Sequence, residues 1–210
     1  MIIAIASGKG GTGKTTVATS LALSVAAVGQ GQEPTSLLFL DCDVEEPNAA
    51  LFLRPQLDHS QDVGILIPEV DLARCTFCGR CAEVCAWHAI AVVGKQVLIF
   101  PELCHGCGSC TLNCPTGAMH ERLHVMGRLE SGRAGPIEFG HGILNVGEAM
   151  AVPIIRQLKA GYLAHPDRRP ALTILDASPG TSCPVVETMR GADLNWRLAV
   201  KGIQKASSCM

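Results

Sequence analysis

Two runs of cysteine carry the densest chemistry in the chain. The first is Cys75-x2-Cys78-x2-Cys81-x3-Cys85, and the same spacing recurs as Cys104-x2-Cys107-x2-Cys110-x3-Cys114, followed by Pro115. Three thiolates set two residues apart can wrap a cubane from one tight loop and leave its fourth iron for a ligand from elsewhere, which is the spacing of [4Fe-4S] ligation. A pair of structural zinc sites is the competing reading, since C-x2-C pairs also build zinc ribbons. Zinc, however, leaves the third and fourth cysteine of each run without a reason for its place.

A second motif stands at the N-terminus. Gly8-Lys9-Gly10-Gly11-Thr12-Gly13-Lys14-Thr15 satisfies G-x4-G-K-[ST] between an apolar run and a helical pattern. Its glycines let successive backbone N–H groups and a helix N-terminus face phosphate. Lys14 then reaches the β and γ phosphates, the Thr15 hydroxyl ligates Mg²⁺, and Thr16 completes the binding stretch. ATP and Mg²⁺ are therefore expected beside the two clusters. The alternative is a fortuitous glycine-rich turn.

The cysteine runs resemble those of two-cluster bacterial ferredoxins, in which the fourth cysteine of each run ligates the other cluster. This resemblance assigns Cys75, Cys78, Cys81 and Cys114 to one cluster, and Cys104, Cys107, Cys110 and Cys85 to the other. The first run departs from the bacterial pattern because Ala86-Trp87 stands where a proline would follow its fourth cysteine.

Lys9 makes the glycine loop resemble the deviant Walker A of the MinD/ParA/Mrp P-loop ATPases, a class that includes the nitrogenase iron protein. The resemblance implies a homodimer in which Lys9 reaches nucleotide in the partner subunit and clamps the transferred phosphoryl group. It implies that in Asp41-Cys42-Asp43 the second aspartate, Asp43, orients the attacking water, making Lys9, Lys14 and Asp43 the catalytic candidates. Asp176 fits the Walker B position, so that Thr15, Asp41 and Asp176 form the Mg²⁺ set. Ser178-Pro179-Gly180 resembles the second switch. A lone strand-end aspartate is more often a turn or helix cap; three in step with a phosphate loop favour the nucleotide. More narrowly, the order of P-loop, switch, eight cysteines and second switch resembles Mrp-related ATPases with an internal ferredoxin insert, over residues 1 to about 193.

These residues need elements to hold them. Ile2 to Ala6, Leu37 to Leu40 and Leu172 to Leu175 are short apolar runs that end at the motifs. Separated by helical stretches such as 15–28, they predict an α/β fold: a parallel P-loop sheet with helices on both faces. Residues 90–93 and 97–100 predict a hairpin joining the cysteine runs within an α+β, ferredoxin-like insert. The expected organisation is 1–62 and 121–210 for the ATPase domain, with 63–120 inserted. The glycine-rich stretch 127–142 reads as a returning loop and 147–160 as a helix with Pro153 in its first turn. Beyond Asp193 the sequence leaves the family pattern, so one or two C-terminal strands are expected to be missing and a sheet edge exposed.

Composition bounds the rest. A chain of 210 residues, 48% hydrophobic and 17% charged, can bury one substantial core and a small module. A formal net charge of -2 offers no basic field for nucleic acid. No apolar run approaches a membrane span, and a chain entering a strand directly from Met1 reads as cytoplasmic. Cys42 reads as a core thiol, Cys183 and Cys209 lie outside the runs, and His88, His105 and His120 read as surface or packing residues. The expected function is an ATP-binding iron–sulfur protein, an ATPase whose nucleotide state controls electron transfer or cluster delivery to a redox or assembly partner. A non-hydrolysing electron-transfer module and a cluster carrier or scaffold are the alternatives.

Overall fold

The computed structural model describes residues 1–28, 36–165 and 170–198, which fall into two compact units. The first unit comprises Met1–Val63, Gly127–Val146 and the chain from Met150 onward; the second comprises Gly64–Met126 with Gly147–Ala149. The inserted unit thus extends six residues past the expected boundary at 120, because the strand leaving it continues through that point.

In the first unit, β1 (Ile2–Ser7), β2 (Leu37–Asp41) and β8 (Leu172–Pro179) are buried along nearly their whole lengths. Continuous apolar runs of this kind suit a parallel sheet covered on both faces. β2 pairs in parallel with β8, and β8 with β1. On the other side β2 pairs in parallel with β7 (Ile137–Leu144), which pairs antiparallel with β6 (Met119–Ala134). The order is β3-β6-β7-β2-β8-β1-β9, where β3 is Gln56–Val70 and β9 is Leu194–Leu198. Helices α1 (Lys14–Val28), α2 (Ala49–Leu53), α5 (Val152–Leu163) and α6 (Cys183–Met189) complete the unit. Its core includes Ile3, Ile5, Phe39, Phe139 and Ile174 under Ala18 and Ala22 of α1. The Phe39 and Phe139 rings stack at 6.0 Å.

Three expectations need correction here. The stretch 127–142 is a hairpin, strand on both sides of a turn at 135–136, and not a loop. Its glycines allow close packing: a Cβ at Gly142 would stand 2.7 Å from Ile154 Cγ2 and Val44 Cγ1, so bare backbone is what lets α5 settle on β7. The helix starts at Val152, not 147, with Pro153 in its first turn as its fixed φ requires. The segment after Asp193 forms β9, which pairs in parallel with β1 and is itself an edge strand with Leu194 and Trp196 about half exposed. β3 was not anticipated, because its first half is a polar, exposed stretch without an apolar alternation to announce it.

The second unit contains the hairpin β4 (Ile90–Val93) and β5 (Gln96–Ile99) and two single-turn helices, α3 (Arg80–Glu83) and α4 (Ser109–Leu112). A turn of 3-10 helix covers Pro101–Leu103. The two halves repeat one another: α3 follows Gly79 and α4 follows Gly108, both left-handed. Among the described residues no helix is long and apolar enough to cross a membrane.

Candidate functional site

The cysteines sort into two sets in space. Cys75, Cys78, Cys81 and Cys114 line one open hollow of about 310 Å³, and Cys85, Cys104, Cys107 and Cys110 line another of about 370 Å³. The crosswise exchange of Cys85 and Cys114 is thus present in the fold. Among the described residues, no three Cys, His, Asp or Glu side chains converge on one point as a single ion demands. The four cysteines of each set instead ring a space, as a cubane with one thiolate per iron requires.

Backbone N–H groups turn toward the sulfurs in matching pairs. Phe77 donates to Cys75 Sγ at 3.4 Å and Gly106 to Cys104 Sγ at 3.5 Å, while Ala89 donates to Cys85 Sγ and Ala118 to Cys114 Sγ, both at 3.3 Å. Such bonds favour thiolate and spread the charge of a bound cluster. Burial pushes the thiols of Cys81, Cys104 and Cys110 up. Burial opposes ionisation of Cys114 too, yet the Met119 and Ala118 N–H groups and the Thr116 hydroxyl bring it down to about 7. Donor set, spacing and space all fit two [4Fe-4S] clusters.

His105 lies flat against Trp87, ring centroids 3.6 Å apart, at the hollow of the Cys85 set. His120 pairs with Glu69 at 3.4 Å, and His88 is exposed.

The phosphate loop is built in the first unit at the end of β1. Gly11 and Gly13 take φ of +71° and +83°, conformations that other residues adopt only at a cost. A Cβ added at Gly8, Gly10, Gly11 or Gly13 would meet no atom within 4 Å, so these glycines open onto free space instead of serving internal packing. Ser7 ties the loop by donating its hydroxyl to the Lys9 carbonyl at 2.7 Å. Lys14 is buried, Lys9 and Thr16 are exposed, and the Thr12 hydroxyl is enclosed without a partner.

The aspartates gather at the same end of the sheet. Burial, then the neighbouring Asp176 carboxylate, raises Asp41 to about 7. Asp41 is already engaged, with the Asp43 N–H at 3.1 Å on one oxygen and the Ala49 N–H at 2.9 Å on the other. It therefore shapes the turn into α2 and is the less available of the two aspartates in the expected Mg²⁺ set. Asp176 is fully buried and neither of its oxygens has a hydrogen-bond partner. Burial raises it to about 6, opposed by the Thr15 hydroxyl and the Lys14 ammonium, which favour its charged form. Burial also raises Asp43, and Lys14 and Ser178 oppose this. The arrangement fits a divalent cation beside a phosphate: a buried carboxylate in want of positive charge, a lysine and an open glycine cradle.

Sequence reasoning missed the ties among the strand ends that carry Ser7, Cys42 and Ser178. The Gly180 N–H is donated to the Ser7 carbonyl at 2.9 Å, the Cys42 N–H to the Asp176 carbonyl at 2.9 Å, and the Ser178 hydroxyl to the Cys42 carbonyl at 3.4 Å. No signal in the sequence marks these backbone partners. Cys42 is buried as expected, Cys183 is exposed at the start of α6, and Cys209 lies outside the described residues.

Comparison with known proteins matches these two sites to two families. Residues 1–73 match the model of the NUBPL iron-transfer P-loop NTPase, a ParA-type family, and residues 74–118 match the 4Fe-4S dicluster domain. This is a ParA-type P-loop NTPase fold with a 4Fe-4S dicluster insert. The P-loop NTPase chain is similar to two proteins of Methanocaldococcus jannaschii, uncharacterized protein MJ0578 at 34% identity and uncharacterized protein MJ0579 at 28%. Each match covers 92% of this chain, and the chain spans 65% and 66% of the length of those relatives. A shorter similarity, 48% identity over 25 residues, is to the polyferredoxin protein FwdG of the same organism; it covers 12% of this chain and 30% of that protein.

Proposed function

We propose that this dicluster P-loop NTPase binds and slowly hydrolyses ATP, and that its nucleotide state controls either electron transfer through the clusters or their delivery to a partner protein. The observation that carries the ATPase reading is Asp176, a buried carboxylate with both oxygens unpartnered near Lys14 and Thr15. Thr15 and Asp176, with Asp41 behind them, would hold Mg²⁺, which neutralises phosphate charge when bound. Asp43 is the water-orienting group, and exposed Lys9 is free to reach the nucleotide of a second copy in a homodimer. A phosphate sensed by the Gly180 N–H would have to draw it from the Ser7 carbonyl, so nucleotide binding and retention of this tie exclude one another. We place the protein in the cytoplasm.

The iron-transfer name of the matched NTPase family favours cluster delivery. Eight cysteines that complete both clusters within one chain favour retention, hence electron transfer, with or without hydrolysis. The deciding experiment pairs ATPase assay with cluster transfer from anaerobically purified protein to an apo-acceptor. Lys14→Ala should abolish ATP turnover and leave cluster absorbance intact; unchanged turnover overturns the ATPase assignment. ATP-dependent transfer supports delivery, and reversible reduction without transfer supports the electron-transfer reading.

A further inference from the structure

We infer that the two hollows hold their clusters at different reduction potentials, with Glu121 lowering the Cys85 set and Arg80 raising the Cys75 set. The inference rests on the iron–sulfur reading and adds an order to it. The two sets have four cysteines each and matching N–H bonds to sulfur, from Phe77 and Ala118 in one and from Gly106 and Ala89 in the other, so a difference must come from what else surrounds them. Reduction adds one negative charge to a cluster. Nearby positive groups and hydrogen bonds to sulfur therefore raise the potential, while nearby negative charge and burial lower it.

The charged groups and the burial around the two sets differ in one direction. Glu121 lines the hollow of the Cys85 set, and its Oε1 lies 3.1 Å from where a Cβ on Gly108 would stand, over the loop that carries Cys107 and Cys110. Two cysteines of this set, Cys104 and Cys110, are buried, whereas none of the Cys75 set is. Arg80 lines the hollow of the Cys75 set, and Arg74 donates to the carbonyl of Thr116, which lines it too. The Thr116 hydroxyl stands 3.7 Å from Cys114 Sγ, a further polar contact on that side. Glu83 pairs with Arg80 at 2.8 Å and offsets part of its charge, but Glu83 does not line the hollow and Arg80 does.

The test is a reductive titration of the anaerobically purified full chain at pH 8, followed by electron paramagnetic resonance, with iron and sulfide counted on the same sample. The wild type should show two resolved one-electron couples. Glu121→Gln should raise the lower couple alone, Glu121→Asp should restore it, and Arg80→Gln should lower the upper couple alone. A full iron complement with potentials unmoved by Glu121→Gln, or with the upper couple moved instead, overturns this inference. Iron for fewer than two clusters in the wild type overturns the iron–sulfur reading itself.

Discussion

Asp41 and Asp176 are Cα partners on adjacent parallel strands, and the same register row continues to Ile5 of β1, two residues before the strand gives way to the phosphate loop. Two carboxylates are thus buried side by side at the carboxyl ends of the central strands, where open α/β sheets bind ligands. Only Asp41 has hydrogen-bond partners. A buried unpaired carboxylate costs stability unless a cation answers it. Asp176→Asn should therefore stabilise the nucleotide-free protein by about 1–2 kcal/mol while abolishing ATP turnover. Thermal unfolding with and without Mg-ATP checks both, since the variant should also lose the upward shift that ligand gives the wild type.

The crosswise ligand sets predict a pattern of iron loss. Cys114→Ser should remove the same half of the iron as Cys75→Ser, and the double variant should lose no more than either. Cys85→Ser with Cys75→Ser should remove both clusters. Iron and sulfide counts read this directly, and additive loss in the Cys75/Cys114 pair would contradict the exchange seen in the two hollows.

Glu130 carries a pH dependence with a definite sign. The nearly buried His141 ring donates Nε2–H to its Oε2 at 2.9 Å and Arg128 donates to its Oε1 at 2.7 Å, and the His141 bond first, then Arg128, hold the carboxyl below its usual 4.5. A depressed carboxylate contributes stability above its unfolded value and loses it as pH falls through the folded one. Glu130→Gln should cost about 1 kcal/mol at pH 7, the modest value of a charged hydrogen bond partly open to solvent. The gap to wild type should close below pH 4.5 in thermal unfolding across the pH range.

The inserted unit holds a local imbalance between its two halves. Gly106 and Gly117 sit at φ of +62° and +59°, whereas the equivalent positions of the first half hold Phe77 at +56° and His88 at +52°. A side chain in the left-handed region costs roughly 1–2 kcal/mol. His88 is exposed, so His88→Gly should raise stability by roughly 0.5–1 kcal/mol, measured as the midpoint of denaturant unfolding with the clusters kept in place.

What the sequence disclosed follows from how local each signal is. The phosphate loop, the cysteine runs, β1, β2, β8 and the β4–β5 hairpin are written in consecutive residues, and their spacing alone carries them. The crosswise grouping of the cysteines was legible because the runs resemble those of two-cluster ferredoxins, in which the fourth cysteine of each run serves the other set. The hairpin of β6 and β7 was not, because Gly140 and Gly142 read as flexibility until Tyr162 and Ile154 of α5 are seen against them. β9 was unreadable for a related reason: Asn195 and Arg197 interrupt its apolar residues, and its place beside β1 rests on backbone pairing. The division of labour between Asp41 and Asp176 depends on which N–H groups arrive from Asp43 and Ala49, and identical residue letters cannot tell them apart.

The open space around the phosphate loop has a practical corollary. Gly8 and Gly10, unlike Gly11 and Gly13, combine ordinary backbone conformation with no neighbour within 4 Å of an added Cβ. Folding alone places no demand on these two positions; whatever demand exists comes from outside the polypeptide. A single methyl at Gly10 is thus a separation-of-function tool, expected to leave the architecture and the cysteine hollows as they are while closing the loop to a phosphate.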